Sequence, residues 1–161
     1  MSHIMLDLET VSTEPNARII AIGAVKFSPK DGVYDKFYQA VKTPPLDALH
    51  QMPSHVDEHG FHIAHQTVDW WTLQSAETRT VFSDPNAVTM YTALEAFSVW
   101  TLLEDAIETI QMWGNGASFD NVILAKAYRL RNIEMPWKFW NDNCYRTMKK
   151  RHHRIPFERL G

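Results

Sequence analysis

The chain has 161 residues, 45% of them hydrophobic, which is enough for one buried core and too few for two, so residues 1–161 read as a single domain. A net charge of −3 excludes a uniformly basic nucleic-acid coat, and apolar runs far shorter than the roughly 20 residues of a bilayer span exclude a membrane helix. No basic segment, long apolar run and small-residue cleavage site follow Met1, so no secretory leader is expected, and Cys144, the single cysteine, excludes an intramolecular disulfide and suits a reducing compartment such as the cytoplasm.

From the N-terminus, Ile4 to Leu8 is a short apolar strand candidate, and Ile19 to Val25, rich in β-branched residues, is long enough to cross a sheet. Val33 to Val41 alternates apolar with polar residues behind the turn chemistry of Pro29 to Gly32, so three sequential antiparallel strands are predicted to open the fold. Pro44, Pro45 and Pro53 break the next stretch into loop with at most short helical turns. Val68, Trp71 and Leu73 predict a short helix over 66–74. Asn86 is the expected cap of a longer one that carries Val88, Tyr91, Leu94, Phe97, Trp100 and Leu103 at helical spacing. Thr109 to Trp113 is a fourth strand, which Gly114-Asn115-Gly116 ends before a helix with Phe119, Ile123, Leu124, Ala127 and Leu130 on one face. A last amphipathic segment runs from Cys144 towards His152, and Pro156 should end it. Strands first, then helices alternating with a strand, indicate an α/β domain with a mixed sheet.

Asp7-Leu8-Glu9-Thr10 closes the first strand, where the period of two sets Asp7 and Glu9 on one side and Leu8 on the other. Carboxylates held side by side raise each other's pKa unless a cation compensates, so a divalent metal is one economical explanation. The polar end of an ordinary strand is the plainer one.

The rest of the chain adds to the acidic pair. Asp7 to Thr10 ahead of Ile19 to Val25 resembles the first motif of the DEDD (DnaQ-like, DEDDh) 3′→5′ exonucleases of the ribonuclease H-like superfamily. Asn115 to Leu124, an Asn followed by Phe119-Asp120 and an apolar helix, resembles their second motif. The likeness is to the small stand-alone phage and bacterial enzymes. It implies a ribonuclease H-like mixed sheet flanked by helices, and metal-dependent hydrolysis of single-stranded DNA or RNA from its 3′ end to nucleoside monophosphates. It also implies that Asp7, Glu9 and Asp120 are the catalytic and metal-binding residues, with Asp7 bridging two Mg²⁺ or Mn²⁺ ions roughly 4 Å apart. Hard oxygen donors and the lack of a Cys cluster suit those ions better than zinc. Thr10 and Asn115 would contact the terminal nucleotide, and Phe119 would pack behind the metal carboxylate.

One part of the pattern departs from the family. Its histidine-base members carry a third motif, H-x-x-x-x-D, on a helix near the C-terminus. Here Leu160-Gly161 is reached about where such a helix would begin. His153 and Glu158 have the spacing of His and acid, but Pro156 between them breaks the helix it presupposes. Two readings stay open: a shortened form of an active enzyme, slowed by loss of its general base, or a nucleic-acid-binding module with a vestigial metal site. A two-metal phosphohydrolase of mononucleotides is a third.

Other features carry two readings each. Lys126, Arg129 and Arg131, and Lys149, Lys150, Arg151 and Arg154, are phosphate contacts or solvated faces. Among His50, His55, His59, His62 and His65, three (His55, His59 and His62) would share one helical face and hold zinc, yet Gly60 and the loop chemistry favour solvated side chains. Periodicity buries one of Trp70 and Trp71 and leaves the other to stack on a base, with Trp71 taken as a substrate contact. Trp137, Phe139 and Trp140 form an apolar loop suited to a homodimer contact.

Overall fold

In the computed structural model, which describes residues 1–152, the first strand is longer than its apolar centre. Strand β1 (Ser2–Thr10) buries Ser2, Ile4, Leu6, Leu8 and Thr10 and turns His3, Met5, Asp7 and Glu9 to its other side. Strands β2 (Ile19–Ser28) and β3 (Gly32–Ala40) follow as antiparallel neighbours, joined by a turn whose Gly32 has φ +67°. The proline-broken stretch holds one short helix, α1 (Leu46–His50). The histidine-rich stretch is a small antiparallel hairpin, β4 (His55–Val56) and β5 (His62–Ile63), and not a helix. Gly60 in its turn has φ +92°, a conformation that side chains with a Cβ rarely adopt. The three imidazoles that a helix would have set on one face instead have three different partners: His55 the Pro53 carbonyl, His59 Arg131 and His62 the Ser12 hydroxyl.

Helices α2 (His65–Thr72), α3 (Ala76–Arg79) and α4 (Met90–Thr101) come next. The cap of α4 is Thr89, whose side chain accepts the Thr92 N–H, and not Asn86. The Asn86 N–H is taken up by Asp84, and Val88 bridges to Val41, which draws the chain out before the helix begins. At the other end of α4, Lys26 of β2, only 3% exposed, donates to the Trp100 carbonyl at 2.6 Å. Strand β6 (Ile110–Gly114), helix α5 (Asp120–Leu130), strand β7 (Asp142–Cys144) and helix α6 (Tyr145–Arg151) complete the described fold. Strand β7 escaped the sequence reading because its three residues show no apolar alternation.

The five-stranded sheet runs β3-β2-β1-β6-β7, with β6 and β7 parallel to β1. This is the expected mixed sheet, and β1 is its central strand. Helices α4 and α5 lay Leu94, Phe97, Ile123, Leu124 and Tyr128 against Ile4, Leu6, Leu8 and Ile22 to form the main core. Burial of each such side chain stabilises the fold by about 1.5–3 kcal/mol. A second cluster packs α1 and α2 on the sheet end through Leu46, Leu49, Val68 and Trp71, against Val11 and Ile20. Trp137 is core, 1% exposed, whereas Phe139 and Trp140 stand out at 73% and 63%, so only two of the three loop aromatics reach the surface.

Candidate active site

Asp7 and Glu9 sit near the C-terminal end of the central strand, the edge at which open α/β sheets present their ligands. Across from Asp7 in the ladder lies Gly23, where a Cβ would come within 3.0 Å of the Asp7 carbonyl oxygen. The glycine of the Ile19 to Val25 segment thus lets β2 approach the strand that bears the acids.

Asp120 reaches the same place from far along the chain. The first turn of α5 packs so closely on the end of β6 that a Cβ on Gly114 would lie 2.4 Å from Asn121 Oδ1 and 3.3 Å from Asp120 Cβ. Asn121, 1% exposed, locks that turn in place by donating to the Met112 carbonyl at 3.1 Å and to Asp142 Oδ1 at 2.9 Å. Trp137 donates to the same Asp142 oxygen at 2.8 Å. So held, Asp120 Oδ1 accepts the Leu8 N–H at 3.2 Å, which sets its carboxylate beside the residue between Asp7 and Glu9.

Burial and mutual repulsion dominate the electrostatics of these acids. Burial pushes the Asp120 carboxyl up to about 6; the Leu8 N–H opposes the rise, Asp7 adds to it and Arg146 opposes it. Burial also raises Glu9, with Asp7 and Asp120 contributing repulsion. The three interact across a gap rather than in tight contact: among the described residues, the acids and histidines whose ligand atoms all lie within 4.8 Å of one another are a different set, His50, His65 and Asp69. Asp7, Glu9 and Asp120 offer only oxygen donors, and two of them resist ionisation, which fits a hard divalent cation.

The other expected site residues are distributed around this centre. Thr10 is 8% exposed, its hydroxyl donating to the Ser12 carbonyl at 2.6 Å and its carbonyl accepting the Trp71 indole N–H at 2.9 Å. Trp71 is 2% exposed and braces the strand end from inside the second core, while Trp70 is the exposed member of the pair at 52%. Asn115 is exposed on the loop after β6, and Phe119 packs on the main core just before Asp120.

Sequence reasoning missed two groups here. A cavity of about 270 Å³ opens beside Glu9, bounded by Tyr38, Trp71, Glu77, Thr80 and Asp84. Burial raises the Tyr38 phenol, and Asp84 and Glu9 raise it further. Trp71 was expected there, but no local motif marks Tyr38 of β3, Glu77 of α3 or Thr80 and Asp84 after it. The second is Arg146 in the first turn of α6, whose guanidinium lies 3.6 Å from where a Cβ on Gly116 would stand, close enough to act on Asp120. Hydrogen bonds from the Thr147 side chain and the Ala117 main chain hold the Cys144 thiol and lower its pKa to about 7, tying α6 to the loop before Asp120. The His153 and Glu158 pair, with Arg154, lies outside the described residues.

Residues 2–159 match the family described as the 3'-5' exoribonuclease Rv2179c-like domain. The chain belongs to that family. Among solved structures, E. coli exonuclease I in complex with a dT13 oligonucleotide is similar with a TM-score of 0.54 at 17% identity, over 89% of this chain and 27% of that one. Cell-death related nuclease 4 (CRN-4) gives 0.59 at 16% identity, over 99% of this chain and 50% of that one. The nuclease domain of 3'hExo, a DEDDh family member, bound to rAMP, gives 0.58 at 13% identity, over 96% of this chain and 72% of that one. At these identities the likeness is one of fold, the ribonuclease H-like exonuclease fold. The chain spans less than a third of the length of exonuclease I and half that of CRN-4. A search of curated proteins found no match.

Proposed function

We propose that this domain removes nucleoside monophosphates from the 3′ ends of single-stranded RNA or DNA in a divalent-metal-dependent reaction. The observation that carries the reading is the bond from the Leu8 N–H to Asp120, which gathers acids from two distant motifs at the end of the central strand. Asp7, Glu9 and Asp120 would hold Mg²⁺ or Mn²⁺, the hard ions that carboxylates select. When bound, such ions offset the charge of the phosphodiester and lower the proton affinity of water.

The chain's own residues account for substrate placement. Arg146, beside Gly116 and within reach of Asp120, would meet a phosphate oxygen of the terminal nucleotide. Glu77 and Asp84 in the cavity next to Glu9 repel phosphate but accept hydrogen bonds from hydroxyls, so the sugar end of the nucleotide fits there. Asn115 on its exposed loop would contact the nucleotide, Phe119 would back Asp120, and Thr10 and Trp71 would shape the wall between Glu9 and the cavity. Lys149, Lys150 and Arg151, all exposed on α6, would follow the backbone upstream. The exposed Phe139 and Trp140 would serve a homodimer contact, which sedimentation of an F139S/W140S double variant against the unaltered chain would read.

The test is degradation of 3′- and 5′-labelled RNA and DNA oligonucleotides with Mg²⁺ or Mn²⁺, alongside an Asp7→Ala variant. Metal-dependent shortening from the 3′ end, lost in the variant, supports the reading. Binding that survives EDTA without any shortening would replace it with the nucleic-acid-binding module, and turnover of mononucleotides alone would replace it with a nucleotide phosphohydrolase.

A further inference from the structure

Two histidines that the sequence scatters through a loop-rich region meet on one pair of helices. His50 is the last residue of α1, His65 is the first of α2, and Asp69 follows His65 by one helical turn. Both Nε2 atoms point at the same carboxylate oxygen: His50 Nε2 lies 2.9 Å and His65 Nε2 3.4 Å from Asp69 Oδ1. The two rings lie nearly parallel, 5° apart, with centroids separated by 5.8 Å. We infer that His50, His65 and Asp69 bind one divalent ion of the zinc class, at a site distinct from Asp7, Glu9 and Asp120.

Three observations carry this. The first is spacing. All three ligand atoms lie within 4.8 Å of one another. Around a four-coordinate ion with bonds of about 2.0–2.1 Å, neighbouring ligand atoms stand about 3.3 Å apart, so small rotations of the side chains bring all three to bonding distance. The second is orientation. His65 Nδ1 lies 2.9 Å from the Met52 carbonyl, which only accepts, so Nδ1 carries a proton and Nε2 is the ring nitrogen that faces Asp69. A backbone carbonyl behind the far ring nitrogen is the usual support of a metal-bound imidazole, and it leaves Nε2 as the ligand atom. The third is rigidity. Leu46 and Leu49 of α1 pack with Val68 and Trp71 of α2 in the second core, and the His65 N–H donates to Ser54 Oγ at 2.8 Å, so the backbone beneath the ligands is fixed.

The donor set names the ion. Two imidazoles and one carboxylate suit Zn²⁺, Co²⁺ or Ni²⁺, whereas Mg²⁺ prefers oxygen donors throughout. The side chains are 48%, 41% and 49% exposed, so the ion enters from solvent and water completes its coordination. The bound ion joins α1 to α2, and Trp71, two residues past Asp69, carries that restraint to the Thr10 carbonyl beside Glu9.

The experiment is calorimetric titration of the full chain with ZnCl₂ in an Asp7→Ala background, which disables the carboxylate centre, with excess Mg²⁺ present. One equivalent of zinc should bind, Co²⁺ should give the visible absorption of a four-coordinate ion, and zinc should raise Tm. A His50→Ala change should weaken zinc binding by about 10- to 100-fold or more. Asp69→Asn, which keeps the shape of the side chain, should do the same, and circular dichroism should show both variants folded. Undiminished zinc affinity in both variants would overturn the proposal, as would no zinc uptake by the Asp7→Ala chain; either result would leave a His–Asp hydrogen-bonded cluster and nothing more.

Discussion

The main-chain N–H of Leu8 donates to Oδ1 of Asp120 at 3.2 Å, across 112 residues of sequence. The bond has two sides to it. It supports the charge on a carboxylate that burial otherwise disfavours, and it places that carboxylate where Asp7 and Glu9 already stand.

An Asp120→Asn variant should therefore stabilise the metal-free protein while weakening metal uptake, because Asn keeps the acceptor for Leu8 and removes the charge. The folded Asp120 titrates near 6 against an ordinary value of 3.8, so the protonated form is the one that folding favours. Its contribution is most favourable below the ordinary value and is lost as pH rises from about 4 to about 6. The gain for the variant at pH 7, discounted for partial exposure, is about 1 kcal/mol, or about 2–4 °C in Tm. Thermal melts of both chains in EDTA across that range check the sign, and a variant less stable than the parent at pH 7 would contradict it. Metal titrations of the unaltered chain should show affinity falling as pH drops below about 6.

Gly114→Ala should damage both stability and activity. Its Cβ would strike Asn121 Oδ1 at 2.4 Å, and Asn121 is buried and bonded to Met112 and Asp142, so the clash falls on the lock that positions Asp120. Overpacking of this kind costs about 1–3 kcal/mol. A denaturant midpoint equal to that of the unaltered chain would show that α5 shifts away without penalty.

Arg146→Ala should lower activity while leaving the fold intact, since the side chain is exposed. Surface changes of this type move stability by about 0.5 kcal/mol or less. If the guanidinium neutralises one phosphate, the salt dependence of single-strand binding should flatten by about 0.7 in the slope of log K against log salt. Fluorescence anisotropy over a salt series separates this from a general loss of folding.

Trp71→Phe should cost about 1–3 kcal/mol, because it leaves the Thr10 carbonyl unpaired in a buried setting. A larger fall in kcat than in substrate affinity would follow if the strand end at Glu9 loses its geometry, whereas unchanged kinetics would make Trp71 a packing residue alone.

Much of the frame was legible one window at a time. The first three strands and α5 announce themselves through alternation, β-branched runs and helical spacing, which depend on neighbours within a few residues. Asp7, Glu9 and Asp120 stand out because a strand end and a helix start carry acids within motifs. Asn86 misled the reading of α4 for a related reason. It is a good capping residue by type, but its N–H is taken up by Asp84 and the bridge from Val88 to Val41 moves the helix start to Thr89.

By itself the sequence determined the strand and helix makers and the placing of acids at a strand end and a helix start, since each follows from local propensity or from side-chain chemistry. Tertiary structure alone decided the strand order that centres β1, the Asn121–Asp142 lock, the arrival of Tyr38, Glu77, Asp84 and Arg146 around the acids, and the meeting of His50 and His65 on Asp69. The physical reason is that these contacts form only when several apolar faces are buried together, and the free energy of that joint burial is a property of the whole chain that no short segment carries.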